Sequence, residues 1–184
     1  MAAEKKREYM FRELHADEID CRVATIKSNG LSLLLYKDAR VDQNILDATV
    51  GPMNWQRHHS RDNANCIISI WDANKNQWIE KEDTGTESFT EKEKGLASDS
   101  FKRAGFNWGI GRELYTAPFI WISADNCTIN QGDNGKLQCF DSFSVEKILY
   151  DNDRNIVAIS IRNDKQNKRV FVWDGRQKEE KEQK

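Results

Sequence analysis

The chain has 184 residues, 38 % of them hydrophobic and 32 % charged, with a formal net charge of -2. That length suits one domain, of a size that buries about 70 % of its unfolded surface, and the near balance of charge excludes a protein held to nucleic acid by bulk positive charge, so any such contact must be a local patch. Cys21, Cys66, Cys127 and Cys139 show no C-x-x-C spacing and no neighbouring His pattern, which argues against structural zinc and for free thiols in a reducing cytoplasm; no apolar run approaches the roughly 20 residues of a membrane span and the N-terminus has no apolar signal core, so a soluble, unexported protein is expected.

Residues 2–13 mix Lys5, Lys6 and Arg7 with Glu4 and Glu8 and read as a frayed helix or an arm without assigned function. Residues 21–26 alternate toward a strand, Ser28-Asn-Gly signals a turn, and the apolar stretch 31–36 reads as a second strand, together a hairpin. Asp42 is the predicted N-cap of a short helix running to Val50, where Gly51-Pro52 stops it. The stretches 66–71 and 78–82, separated by a polar tip, form a second hairpin. Ile67, Ser69 and Trp71 would share one face and Cys66, Ile68 and Ile70 the other, which predicts a strand covered on both sides.

Thr90 and Glu93 fit a capping box, so the main helix is expected over about 91–104. At 100° per residue, Leu96, Ala97, Phe101 and Ala104 fall within one apolar arc, while Lys92, Gly95, Asp99, Lys102 and Arg103 share the opposite side. Gly105, Gly109 and Gly111 are expected to end this helix in a loop carrying Asn107 and Trp108, with a strand at Phe119-Ile-Trp-Ile. Residues 123–138 read as a loop. The stretches 143–150, 156–162 and 169–173 read as a three-stranded meander, and the chain from Gly175 onward as a charged helix end or tail. The expected domain is 1–175, with the tail 176–184.

The Lys102-Arg103 pair has two readings. Cations in a last helical turn offset the helix dipole, and Asp99 can pair with Arg103 at i,i+4, so the pair can be purely structural. Alternatively it is a phosphate-binding patch. Trp55, Trp71, Trp78 and Trp108 invite a base-stacking role, worth about 1–3 kcal/mol per base, but the burial preferences of aromatics assign most of them to the core.

Enzyme signatures are weak throughout. The glycines of 105–111 lack G-K-[ST] and a preceding strand, so no P-loop or dinucleotide fingerprint is present. His58 and His59 are adjacent and their side chains diverge on a strand or a helix, which disfavours a metal nuclease centre. No nucleophile elbow or recognisable Cys–His spacing occurs. The protein is expected to be no enzyme in the covalent sense and to need no cofactor or metal.

KGLASDSFKRAGFNWGIG, with the Tyr36-Lys-Asp-Ala-Arg-Val-Asp layout before a helix, Gly51 and Trp55, resembles the single-strand annealing proteins of the Rad-fifty-two/Sak type, found in eukaryotic recombination and in many bacteriophages. The resemblance spans roughly 26–122 and is most specific over 99–109. It implies an α+β fold in which an antiparallel hairpin and meander sheet packs on the central helix, with a single strand in the groove between them. Lys102 and Arg103 would line that groove, joined by Arg40 or, if the alignment shifts by one, with Val41 at that position and Lys37 close by. Eukaryotic relatives carry a further basic residue a few positions after the Lys-Arg pair, where this chain has Gly105-Phe106; Arg112 or Lys94, with Lys92 on the same helix, would supply that charge. The implied activity is ATP-independent binding of single-stranded DNA and annealing of complementary strands in recombination and repair, by a homo-oligomeric ring or filament in the cytoplasm (a host bacterial cytoplasm for a phage protein), with a host single-strand binding protein or an exonuclease as candidate partners. Two other readings stay open: a module that coats single strands without annealing them, and a structural or host-interaction phage protein on the same fold.

Overall fold

The structure is a computed structural model that describes residues 10–86 and 92–176, and of 92–94 the backbone alone. In chain order the elements are β1 (Asp20–Lys27), β2 (Gly30–Tyr36), α1 (Ala39–Val50), β3 (Trp55–Ser60), β4 (Asn65–Asp72), β5 (Gln77–Thr84), α2 (Lys92–Trp108), β6 (Ile120–Ser123), β7 (Ile129–Gln131), β8 (Leu137–Cys139), β9 (Phe143–Tyr150), β10 (Ile156–Asn163) and β11 (Lys168–Asp174). Every strand pairing is antiparallel. The fold is α+β, as the sequence predicts, with a hairpin sheet packed on the long helix.

The chain forms two compact units. The described residues of the first are Leu14–Lys37 and those from Glu113 to Arg176. Its six-stranded sheet runs in the order β11-β10-β9-β1-β2-β6 and curls until the two edge strands, β6 and β11, approach each other. The curl encloses Leu31, Leu33, Ile120, Ile122, Val145, Ile156, Ile159 and Ile161, all buried. The chain leaves this sheet after β2 and rejoins it at β6, and these two strands are direct neighbours, with Leu33 opposite Ile120. At the return, the buried Glu113 carboxylate accepts the Leu14 amide at 2.8 Å and pairs with the buried Arg154 guanidinium at 2.9 Å.

The second unit contains Asp38–Arg112. Strands β3-β4-β5 form a three-stranded sheet. Alternation puts Trp55, Arg57 and His59 on one face with Ile70, Ile68 and Cys66 of β4 and Ile79, Lys81 and Asp83 of β5. α2 covers that face, burying Phe101 and Ala104 against it. Trp55 stacks at a tilt on Phe101, with ring centroids 6.2 Å apart, and the Trp108 indole donates to the Ile68 carbonyl at 3.1 Å. The opposite face holds Ser69, which is buried beside Glu80, and the edge-on pair Trp71–Trp78, of which Trp78 is exposed. The strand is therefore covered by a helix on one side only, with local side-chain cover on the other.

Several boundaries differ from the sequence reading. α1 begins at Ala39 with Asp38 as its cap, the carboxylate accepting the Arg40 amide at 2.8 Å; Asp42 lies inside the first turn and is fully buried. α2 does not stop at Ala104 but runs on to Trp108, so Asn107 and Trp108 are helical, and the chain turns at Gly109, where φ is +99°. Gly105 is internal because α1 packs there: a Cβ would fall against the Asp42 carboxylate. The polar stretch Trp55–Ser60 is a strand, and the expected loop 123–138 contains part of the β7–β8 ribbon. The Thr90–Glu93 capping box, residues 2–9 of the expected arm 2–13 and residues 177–184 of the expected tail 176–184 lie outside the described residues or side chains, while the described end of the arm buries Phe11 and so is not frayed there. The four thiols are free, and burial raises Cys21 to about 12 and Cys66 and Cys127 to about 11.

Candidate nucleic-acid interface

α2 has three sides within its unit. Phe101, Ala104 and Trp108 turn to the sheet, Lys102 and Gly105 lie on the side toward α1, and Arg103 and Asn107, four residues apart, line up along β5. Arg103 donates through Nε to Asp83 Oδ1 at 3.2 Å. Asn107 donates to the same carboxylate and to the Glu82 carbonyl, so Asp83 gathers two side chains from α2. The i,i+4 partner expected for Arg103 is engaged elsewhere: Asp99 accepts the amide and hydroxyl of Thr86 at 2.8 and 3.2 Å.

Arg40 pairs with the Asp38 carboxylate, and the charge of Lys102 acts on the same group. The Asp38 carboxyl is held below its ordinary range first by the side-chain and backbone hydrogen bonds of Arg40, and further by the charges of Arg40 and Lys102. Arg40 Nε lies 2.7 Å from Asp38 Oδ1 while its side chain is 82 % exposed, so the guanidinium is oriented by Asp38 yet open to solvent. Lys102 is half-buried and has no ion-pair partner among the described residues.

Arg112 serves α2 itself. It donates to the Phe106 carbonyl at 2.7 Å and the Asn107 carbonyl at 2.9 Å, and lies over the Phe106 ring. These are the carbonyls a helix C-terminus leaves without intrahelical partners. Lys81 reaches the same end from β5, donating to the Asn107 carbonyl at 2.9 Å with its ammonium 4.5 Å from the Trp108 ring centre. Lys92 and Lys94 lie in the first turn of α2, but their side chains are outside the described set. Of the six predicted positions, then, Arg40 is held by Asp38, Lys102 acts on that carboxylate through its charge, Arg103 pairs with Asp83 along β5, and Arg112 is a helix cap.

Sequence reasoning missed Asp38, Asp83, Arg57 and Lys81. Arg57 sits on β3 with its guanidinium 5.0 Å from the Phe101 ring centre. The polar composition of Trp55–Ser60 concealed that strand, although Arg57 and Lys81 stand opposite Ile68 on the helix side of the sheet. His58 and His59 take opposite faces of β3, and His59 Nδ1 lies 3.4 Å from the buried Ser100 hydroxyl. Trp55 donates to Asp47 and Trp108 to Ile68, so both indoles are held by packing and hydrogen bonds. The arrangement offers fixed cations of graded availability, with Arg40 and Arg103 each held by a carboxylate.

No family model matches the chain, and no curated protein matches it. The solved structure of a protein of unknown function from Bacteroides fragilis aligns with 85 % of this chain and 91 % of its own at 11 % identity, with a TM-score of 0.15. That likeness is too slight to bear on fold or function.

Proposed function

We propose that the protein binds single-stranded DNA along its phosphates through the α1–α2 flank of the second unit and promotes annealing of complementary strands without nucleotide hydrolysis, acting as a homo-oligomer. The observation that supports this best is the largely exposed Arg40 guanidinium held by Asp38 at 2.7 Å, on a carboxylate whose pKa the charge of Lys102, far away in sequence, also lowers. Arg40 and Lys102 both belong to the positions that the likeness to Rad-fifty-two/Sak annealing proteins singles out. Phosphate contacts position a strand without reading its bases, which leaves those bases free to pair. Annealing then follows from proximity: two strands held extended lose less entropy when they meet, and Lys and Arg reduce their mutual repulsion.

Lys102→Ala with Arg103→Ala tests the site. The double variant should bind single strands more weakly, with a salt dependence shallower by roughly one to two ion equivalents, at about 0.7 per phosphate contact. Normal binding with lowered thermal stability would return these residues to a structural role. Strand annealing measured against a non-complementary control separates an annealing protein from a coating module, and loss of all DNA binding in the parent protein would favour a structural role on this fold.

A further inference from the structure

The outer face of β1, β2 and β6 in the first unit presents apolar rings beside cations that the function above does not use. Phe119, immediately before β6, is 77 % exposed, and its ring lies nearly parallel to that of Trp121, with centroids 6.3 Å apart and planes 20° apart. The two residues are separated by one position, so both point to the same side of the strand. The buried Leu31, Leu33, Ile120 and Ile122 define the inner face, which makes this side the outer one. The Trp121 indole lies flat on the sheet because Gly30 makes room for it: a Cβ at Gly30 would come within 2.8 Å of the indole Cε2 and Cζ2. Beside the rings stand Leu34, 51 % exposed, and Tyr36, 42 % exposed, both on β2.

The charges follow from the strand register. Arg22 lies directly across from Leu34, and Lys27 directly across from Gly30, beneath the indole. Both side chains are exposed and neither has a hydrogen bond or ion pair among the described residues. Asp20, opposite Tyr36, is the acidic group at the far end of the row. A stacked ring pair, Phe119 exposed and Trp121 half-buried, flanked by free cations matches the two halves of an unpaired nucleotide, a π-face and a phosphate. A wholly apolar partner would leave Arg22 and Lys27 to be desolvated without compensation.

We propose that this face is a stacking platform for single-stranded nucleic acid, with Phe119 and Trp121 receiving bases and Arg22 and Lys27 receiving phosphates. The choice of ligand rests on the reading of the second unit as a single-strand binder, whereas none of the platform residues belongs to that site. The test compares labelled oligothymidylate with an abasic strand of equal length, using the full chain. Phe119→Ala should weaken oligothymidylate binding about 5- to 150-fold with an unchanged salt slope, and should leave abasic-strand binding alone. Arg22→Ala with Lys27→Ala should flatten the salt slope by roughly 1.4 ion equivalents for two contacts. Because Phe119 is exposed, its removal should spare the fold, which circular dichroism and thermal melting would check.

Lys102→Ala with Arg103→Ala is run beside these variants. If it alone impairs binding and Phe119→Ala binds oligothymidylate like the parent, the platform is refuted and the α2 site stands. If Phe119→Ala impairs binding and the α2 variant does not, the platform stands and the α2 reading fails. An equal loss on abasic strands would refute stacking. A change confined to sedimentation, with nucleic-acid binding intact, would refute the platform in favour of contact between two copies of the chain through this face.

Discussion

At the scale of single residues, Asp38 has two tasks that pull in different directions. Its carboxylate caps α1 by accepting the Arg40 amide, and it also occupies the Arg40 guanidinium and draws on Lys102. A cation already paired brings little net charge to a phosphate, so the proposed site should bind more weakly than its number of basic residues suggests. Asp38→Asn keeps a good N-cap and removes the competing charge. It should tighten single-strand binding several-fold and steepen the salt dependence by about 0.7 ion equivalents, measured by titration at several ionic strengths; weaker binding in this variant would mean that Asp38 aligns Arg40 more than it competes with it. Because the Asp38 carboxyl is depressed, its contribution to stability is present above the ordinary value of 3.8 and is lost as pH falls through the lower folded value. The competing charge is therefore fully present at neutral pH, and binding should not vary with pH near 7 on its account.

At the scale of elements, the joint between α2 and the chain leaving β5 depends on Gly85. A Cβ there would stand 2.6 Å from the Ser100 amide nitrogen and 3.0 Å from the Leu96 carbonyl oxygen, both backbone atoms that cannot swing aside. Gly85→Ala restricts the unfolded chain, which favours folding by about 0.4–1 kcal/mol, but the overpacking should cost about 1–3 kcal/mol. A net loss is expected as a lower denaturant midpoint at unchanged slope; a gain would show that α2 moves freely off β5. Elements with a strong local pattern were legible from sequence. The β4–β5 hairpin announces itself by the run Cys66-Ile-Ile-Ser-Ile-Trp71 and a polar tip, where Asp72 accepts the Asn74 and Lys75 amides. β3 was not legible, because Trp-Gln-Arg-His-His-Ser has no apolar alternation and lies at the sheet edge. The overrun of α2 past Gly105 was hidden for a related reason: that glycine looks like a stop, and its need arises from Asp42, which only the packing of α1 brings near. The Lys-Arg pair was readable as a local feature of one helix, whereas the carboxylates that set its availability come from positions remote in sequence.

At the scale of the whole molecule, the cysteines and the connectivity carry the consequences. Burial holds the Cys21, Cys66 and Cys127 thiols far above neutral pH, in keeping with free thiols of low reactivity. Among the described residues no helix is long and apolar enough to cross a membrane. The connectivity has a thermodynamic meaning. Residues Asp38–Arg112 hang between β2 and β6, neighbours in one antiparallel sheet, and so stand where a hairpin turn would ordinarily stand. A chain that length, if unfolded, would be roughly four doublings longer than a short turn, at about 0.6 kcal/mol each in closure entropy. The second unit, by folding, holds the ends of that loop together and relieves the first of about 2–3 kcal/mol. Replacing residues 38–112 by a short turn should accordingly leave the six-stranded sheet folded, as judged by circular dichroism and protected amides; a chain that failed to fold would show that the sheet needs more from its insert than closed ends. Melting the insert alone would slacken the sheet through the covalent chain, so amide exchange in β2 and β6 should quicken before β9 and β10 change.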